Sequence, residues 1–271
     1  MIRALSLLIS SLLIAPASPA LAQDARYPDG RTSLYLGWFI TDRDTQTRFD
    51  SDSGTGTDIQ MEGDLGLEST MTVARLGGHF WAKPRHRLDF SLFDLSRTAS
   101  RQIDETIEFG DETFVVDTTV HSTFDFEILK ADYTFAALRR TEGFVGITAG
   151  LYITSFKLGL SEATLGSFES EELTAPLPVI GVRGDWRITD RISVLGYAQW
   201  FKLEVDDTGG RLSDYLVGAE YQVSRRFDLG IAYNDVSMRI DADEPDGLTG
   251  QLIWDYDGWI LYGRATFGRS E

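Results

Sequence analysis

The chain has 271 residues, of which 42 are acidic and 25 are basic, and its formal net charge is −17. Such an acidic protein is a poor partner for nucleic acid, because it would repel the phosphates. The absence of cysteine excludes a disulfide framework, a thiol nucleophile and a cysteine-ligated metal site.

Residues 1–22 have the features of a secretory signal peptide. Arg3 supplies the charged n-region, an apolar run follows over residues 5–15, and Ala20-Leu21-Ala22 is an A-x-A cleavage site. The apolar run is too short for a membrane-spanning helix. We therefore expect export and cleavage after Ala22, a short lead-in over residues 23–31, and a single domain over residues 32–271.

The rest of the chain contains about ten segments in which apolar and polar residues alternate. A period of two is typical of β-strands that present two different faces. In chain order these segments are 32–41, 70–81, one beginning at Leu88, one ending near Phe135, 145–154, 180–186, 192–200, 214–223, 227–234 and 259–267. Because no later stretch holds 18 uninterrupted apolar residues, a membrane could be crossed only by these strands.

Short basic turns alternate with longer acidic connections along the chain. The turns lie near Pro84, Arg140, Asp190 and Arg225, and the acidic loops are expected over residues 42–58, 104–117, 161–172 and 241–246. Outer-membrane β-barrels have short periplasmic turns and longer extracellular loops. The pattern predicts an all-β protein of the outer membrane, an antiparallel, up-and-down transmembrane β-barrel of about ten strands.

Aromatic residues on the apolar faces fall into two rows. The row beside the short turns and the C-terminus contains Phe80, Phe135, Trp186, Tyr221 and Phe267, and the opposite row contains Trp38, Trp200, Tyr233 and Trp259. Aromatic rings prefer the headgroup level on both sides of a bilayer. A soluble secreted sandwich or barrel would also alternate, and would use these rings as core, but the two rows and the unequal turns favour the membrane.

The polar faces of the predicted strands carry ionisable residues of both signs. They are Arg75, His79, Asp89, Lys130, Asp132, Arg183, Asp185, Glu220, Asp228 and Arg264. A barrel of about ten strands has a narrow lumen, because eight-stranded barrels are filled by side chains and aqueous channels appear at roughly 16 strands. We expect these charges to pair and largely fill the lumen, in a structural protein, a narrow channel or a small-solute binder without a cofactor.

The last predicted strand, Trp259-Ile260-Leu261-Tyr262-Gly263-Arg264-Ala265-Thr266-Phe267, and the Ala20-Leu21-Ala22 site resemble those of bacterial outer-membrane β-barrel proteins. The resemblance implies a barrel surrounded by outer-membrane lipids and inserted by the barrel-assembly machinery, which usually reads an aromatic residue at the end of the chain; here Gly268-Arg269-Ser270-Glu271 follows Phe267. It extends over nearly the whole mature chain, but it is a likeness to a class and names no activity.

One residue pair suggests an enzyme. Outer-membrane lipid-modifying hydrolases use a serine activated by a histidine, and His121-Ser122 lies near the loop end of the fourth strand with Glu127 nearby. Adjacent residues of a strand point to opposite faces, however, so these two side chains cannot easily share a proton.

A protease resembling the omptins would need Asp–Asp and Asp–His pairs at the rim, and the sequence has no Asp-x-His pair. We expect no enzymatic activity, and the alternative is a hydrolase site near His121.

Two acidic stretches, 50–52 and 241–247, have some likeness to calcium-binding loops. Neither has the ligand spacing or the final glutamate of the twelve-residue calcium loop. At most, we expect weak binding of divalent cations at the acidic loops, and no dedicated metal site.

Overall fold

The computed structural model describes residues 32–51, 56–162, 168–205, 208–243 and 249–268. The predicted signal peptide and the lead-in over 23–31 lie outside these residues, and both stay predictions. Within the described part of the chain the regular structure is β throughout. No helix there has the length and apolar character needed to cross a membrane.

Ten long strands of 14 to 21 residues form one closed antiparallel barrel in the described part of the chain. The strands in chain order are β1 (Thr32–Phe49), β2 (Ile59–Gln60), β3 (Thr70–Lys83), β4 (His86–Gln102), β5 (Ile107–Phe109), β6 (Glu112–Phe114), β7 (Thr119–Arg139), β8 (Gly143–Glu162), β9 (Phe168–Arg187), β10 (Ile192–Val205), β11 (Thr208–Ser224), β12 (Phe227–Asp243) and β13 (Thr249–Phe267). The short β2 pairs with β1, and β5 and β6 form a separate hairpin. Pairing of β1 with β13, from Thr32 opposite Phe267 to Phe49 opposite Gly250, closes the barrel and confirms the predicted fold.

The strands are longer than the sequence predicted. The first strand was expected to end at Thr41 but continues to Phe49, and much of the expected loops 161–172 and 241–246 is strand. The expected loop 104–117 contains the β5–β6 hairpin. The expected loop boundaries were therefore wrong, because they were placed where the outward residues stop being apolar, whereas the pairing of the strands continues.

The apolar face of most long strands changes sides along the length of the strand. In β7, Phe124, Phe126 and Ile128 are buried inside the barrel, while Leu129 and Phe135 are exposed on its outer wall. We call the part with apolar outward residues the belt. The part beyond it, formed by 41–49, 94–102, 119–128, 154–162, 168–175, 201–205, 208–213, 235–243 and 249–257, is the extension. A barrel in lipid exposes its apolar face and a barrel in water buries it, so the belt has the surface of a membrane-spanning segment and the extension that of a soluble barrel.

The interior of the extension is filled mainly by aromatic and aliphatic side chains, and it also buries Arg43 and Arg97, the latter in an ion pair with Glu62. We call the five large buried residues at its base the apolar plug: Phe39, Phe93, Phe126, Trp254 and Tyr256. Their rings pack at a steep angle, with centroids 5.7 Å apart for Phe39 and Tyr256 and 6.1 Å apart for Phe39 and Phe93. Buried residues of the connections cover the plug from the loop end, and they are Ile59, Met61, Leu65, Phe109 and Phe114. The bore is therefore blocked by apolar packing on the loop side of the belt.

Candidate functional site

The lumen of the belt is polar and contains a cavity of about 100 Å³. A second pocket of about 40 Å³ shares five lining residues with it and reaches Asp190 and Arg191 in a short turn. The shared residues are His79, Arg87, Asp185, Glu220 and Arg264. We call the two together the chamber. It is closed toward the extension by the apolar plug and opens at the end of the barrel that carries the short turns.

All ten ionisable residues predicted to face the lumen line this chamber. Nine border the larger cavity, and Asp228 borders the pocket at the mouth. Sequence reasoning did not include several residues that complete the charge network, namely Arg87, Asp214, Tyr152, Tyr197, Gln199 and Asn234. Most of these residues also lie at inward positions of the alternating pattern, so the sequence did indicate that they face the lumen. The predicted network was limited to charged residues in the clearest segments.

The innermost part of the chamber is built around Asp214, which is fully buried. Its carboxylate forms an ion pair with Lys130 and accepts hydrogen bonds from Tyr152, from Tyr197 at 3.2 Å and from Asn234 at 2.6 Å. The Lys130 ammonium also donates to the Tyr197 hydroxyl at 2.9 Å. A buried carboxylate with this many donors is satisfied, so the group ties β7, β8, β10, β11 and β12 together across the lumen.

Arg75 lies beside this group, against the apolar plug. Its guanidinium donates to Ser91 Oγ at 3.0 Å and to Asn234 Oδ1 at 2.7 Å, and it lies over the rings of Phe39 and Phe93. Among the described residues no carboxylate is hydrogen-bonded to it. Its positive charge is therefore balanced only indirectly, through Asn234, by the carboxylate that already pairs with Lys130.

The middle of the chamber is a chain of alternating charges. Arg183 lies 3.0 Å from Asp132 and 3.6 Å from Asp89, and Arg87 lies 2.6 Å from Asp89. Gln199 donates a further hydrogen bond to Asp132 at 2.9 Å. These contacts satisfy both carboxylates and fix the guanidinium planes against the wall.

The mouth of the chamber is lined by equal numbers of carboxylates and arginines, and they are Asp185, Asp190, Glu220 and Asp228 with Arg87, Arg187, Arg191 and Arg264. Arg264 contacts Glu220 at 2.5 Å and Asp228 at 3.1 Å, and the Tyr262 hydroxyl donates to Glu220 at 2.7 Å. Asp185 lines both the cavity and the mouth, where its carboxylate faces the positive charges of Arg264, Arg87 and Arg187.

Two glycines keep the chamber open by making room for tyrosine rings against its wall. A methyl group on Gly230 would lie 2.2 Å from Cζ of Tyr262, and one on Gly77 would lie 2.5 Å from the Tyr35 hydroxyl oxygen. Both distances are far shorter than van der Waals contact. The rings of Tyr35 and Tyr262 therefore occupy the space that a side chain at Gly77 or Gly230 would fill.

The suspected hydrolase residues lie far from the chamber and do not form the expected pair. Ser122 is buried inside the extension, whereas His121 is exposed on its outer wall and lies 2.9 Å from Ser100 Oγ through Nδ1. Glu127 is six residues further along the same strand, about 20 Å away at about 3.4 Å per residue. In the described residues no carboxylate contacts His121, and no group of three or more His, Asp or Glu side chains is arranged to hold a metal.

The predicted girdle residues all lie on the outer wall. Trp38, Phe80, Phe135, Trp200, Tyr221, Trp259 and Phe267 are exposed, and Trp186 and Tyr233 are half-buried. The rings of Tyr233 and Trp259, on neighbouring strands, pack with centroids 5.2 Å apart. The placement suits rings at the two edges of a lipid-facing belt.

A row of carboxylates crosses three strands just outside the belt. Asp42, Asp257 and Asp235 lie opposite one another on β1, β13 and β12, and all three point outward. Partial burial raises the pKa of Asp235 above its ordinary value, and the nearby charges of Asp257 and Asp255 raise it further. The row is a site of charge repulsion on the outer wall.

We expect Asp235→Asn to stabilise the protein at about pH 7 but not at about pH 3. Since the pKa of Asp235 is raised in the folded protein, ionisation costs the folded state more than the unfolded chain. The ionised Asp235 carboxylate begins to lower the stability as the pH rises through 3.8, the ordinary pKa of aspartate. This loss of stability is absent at low pH, where the carboxyl group is protonated in both the folded and the unfolded state. Melting temperatures measured at both pH values test this. Asp125→Asn, whose carboxylate lies opposite Lys157, is the control and should show no gain.

No protein-family model and no curated protein matches the sequence. Solved structures do match. The outer membrane protease OmpT from Escherichia coli has a TM-score of 0.54 and 11% identity, covering 92% of this chain and 99% of that one. Ail, the attachment invasion locus protein of Yersinia pestis, has a TM-score of 0.39 and 12% identity, covering 89% of this chain and all of that one. The outer membrane protein OprG from Pseudomonas aeruginosa has a TM-score of 0.37 and 9% identity over 89% of this chain and 97% of its own.

These likenesses concern architecture, and at 11% identity OmpT shows the fold alone. The two scores below 0.5 add no argument of their own. The predicted resemblance to the outer-membrane barrels is confirmed at the level at which it was made, and the chain has the fold of a bacterial outer-membrane β-barrel.

Proposed function

We propose that the protein is a non-conducting barrel of the outer membrane, with its extension outside the cell and its chamber open to the periplasm. The orientation follows from the connections, because short turns face the periplasm and long loops face outward in barrels of this type. Export through the predicted signal peptide over 1–22 belongs to the same proposal. The role is structural: the belt anchors a rigid, polar-walled extension at the cell surface.

The apolar plug is the observation that carries this proposal. Phe39, Phe126 and Trp254 are almost completely buried in the bore, and residues of the connections cover them. An ion that passed between these rings would lose its hydration without gaining polar partners, which is costly. A charged lumen alone would be compatible with a narrow channel, whereas this apolar layer favours a closed bore.

Planar-bilayer recordings of the purified full chain test the proposal. We expect no steady conductance from the wild type. Phe126→Ala combined with Trp254→Ala should introduce a leak, because these changes remove two of the largest rings from the plug. The double substitution Ser96→Ala and Thr98→Ala, on the outer wall of the extension, should leave the baseline unchanged. A large, steady conductance in the wild type would contradict the proposal.

A lipid-modifying hydrolase remains the second candidate, because Ser100 and His121 are within hydrogen-bonding distance. The pair lies on the polar wall of the extension, away from the lipid-facing belt, and it has no orienting carboxylate among the described residues. We expect no turnover of phospholipid or lipid A by the purified protein. Turnover that is lost in both Ser100→Ala and His121→Ala would establish the hydrolase instead.

A further inference from the structure

A shallow depression of about 340 Å³ lies on the outer wall of the belt, close to the short turns. It spans β10, β11 and β12, and it also borders Glu220 and Gly230, which are at inward positions of their strands. Ala219 lies opposite Val194 on one side and Ile231 on the other, so a small side chain stands between two larger ones. The outward residues that form the depression are all apolar or aromatic, and they are Ile192, Ala219, Tyr221, Leu229 and Ile231.

An arginine is held at the edge of the depression that faces the short turns. Nη1 of Arg191 donates a hydrogen bond to the hydroxyl oxygen of Tyr221 at 3.0 Å. The backbone of Arg191 is also fixed, because its carbonyl accepts from the Gln222 N–H at 2.8 Å and its N–H donates to Thr189 Oγ1 at 3.3 Å. In the described part of the chain no carboxylate forms an ion pair with this guanidinium. A guanidinium has five N–H donors, so one bond to a neutral hydroxyl leaves most of them for a ligand.

The two turns beside the depression carry more arginines than carboxylates. Asp190 and Arg191 precede β10, and Arg225 and Arg226 connect β11 to β12, and all four are exposed. Asp190 and Arg191 also border the mouth of the chamber. Because Asp190 is the one carboxylate against three arginines, the edge of the depression has a net positive charge.

We propose that the depression binds one anionic phospholipid of the periplasmic leaflet, with its phosphate on Arg191 and an acyl chain against Ala219. The site rests on the proposed membrane placement, which brings the short turns to the periplasmic headgroups. The planar guanidinium matches the geometry of a phosphate group, and basic residues near a membrane surface attract anionic lipids. A zwitterionic lipid offers the same acyl chain, but its own cation offsets the attraction of its phosphate to the positive edge.

Native mass spectrometry of the folded full chain in detergent micelles tests the proposal, with phosphatidylglycerol and phosphatidylcholine of identical acyl chains at equal concentration. We expect one phosphatidylglycerol to be retained about fivefold more often than phosphatidylcholine, since one basic residue near the surface contributes about this factor. Arg191→Gln should abolish the preference. Arg85→Gln removes an exposed arginine from the turn between β3 and β4, on the opposite side of the barrel, and as the matched control it should keep the preference.

A second variant tests the apolar part of the site without changing any charge. Ala219→Leu fills the depression and should lower the retention of phosphatidylglycerol, and Ala219→Val is the smaller replacement if the leucine variant does not fold. Equal retention of the two lipids by the wild type would overturn the proposal, as would unchanged retention in the folded Ala219 variant. An equal loss in Arg191→Gln and Arg85→Gln would show general attraction to the basic turns and no site. A wild-type dimer that is lost in Ala219→Leu would make the occupant a second copy of the chain.

Heat-modifiable mobility of every variant establishes a folded barrel before lipids are compared. A missing lipid preference in a folded wild type would therefore overturn the lipid site alone. The proposed closed, membrane-anchored barrel depends instead on conductance and on insertion, which this measurement does not involve.

Discussion

Replacing Asp214 with leucine is expected to lower the free energy of unfolding by about 3–5 kcal/mol. The substitution leaves the Lys130 ammonium buried without its ion pair, and it removes the acceptor for Tyr152, Tyr197 and Asn234. Such a loss is large beside the free energy that separates the folded from the unfolded state of a typical domain, which is about 5–15 kcal/mol. Unfolding by urea in detergent micelles, followed by heat-modifiable mobility, measures the change.

Two further variants separate the buried charge from the lost side-chain volume. Asp214→Leu combined with Lys130→Met should recover a large part of the lost stability, because no unpaired charge remains. Asp241→Ala breaks the ion pair with Arg239, which is 2.9 Å long and partly exposed to solvent, and should cost at most about 1 kcal/mol. If Asp214→Leu unfolded at the same urea concentration as the wild type, the ion pair would not be a source of stability.

Arginine at an outward position of the belt is expected to prevent assembly of the barrel. Ile147 and Leu229 are 64% and 52% exposed on the outer wall, so in the membrane their side chains contact lipid. At the middle of a bilayer an arginine costs about 2–4 kcal/mol in a barrel of this kind. Ile147→Arg and Leu229→Arg should therefore yield little heat-modifiable, membrane-extracted protein, which gel mobility and detergent extraction measure.

The matched control is the same substitution in the extension. Ser96 points outward on β4, opposite Asp125 on β7, and its surroundings are polar. Ser96→Arg should assemble normally. If the two belt variants also inserted normally and kept the wild-type heat stability, the belt would not be the lipid-facing surface.

The fold could be predicted from sequence because alternation and turn length are local signals. The period of two placed each belt residue on its face, and the short turns set the direction of successive strands. The extension was missed for a physical reason. Between Ile128 and Leu129 of β7 the apolar face changes from inward to outward, and on β1 an interpretation that required outward apolar residues ended the strand at Thr41. The continuous pattern Phe124-Asp125-Phe126-Glu127 would have shown the second part if inward apolar residues had also been considered.

The chamber could be predicted only in part. The alternation of apolar and polar residues indicated which charged side chains face the lumen. It does not give their positions along the barrel axis, or which strands face each other across the bore. Arg264 and Asp228 are opposite each other on adjacent strands, and a neighbouring partner of this kind can be guessed from the order of the strands. Lys130 and Asp214 lie on β7 and β11, with three strands between them, and meet across the lumen. Such a contact depends on the shear and diameter of the closed barrel, which no single strand encodes.

The change of apolar face along the strands also determines how far the protein stands above the bilayer. β7 has 21 residues, which at about 3.4 Å per residue and a tilt of about 40° gives a height of about 55 Å, whereas the lipid-facing band of such barrels is about 25 Å tall. In the proposed membrane placement, about half of the barrel then projects beyond the headgroups as a pedestal with its own packed interior. Its connections are carried clear of the headgroups, where a large external molecule can approach them without touching the lipid. Sequence changes at the top of the pedestal are also separated from the chamber by the whole thickness of the packed rings, so the outer end can vary while the inner end stays the same.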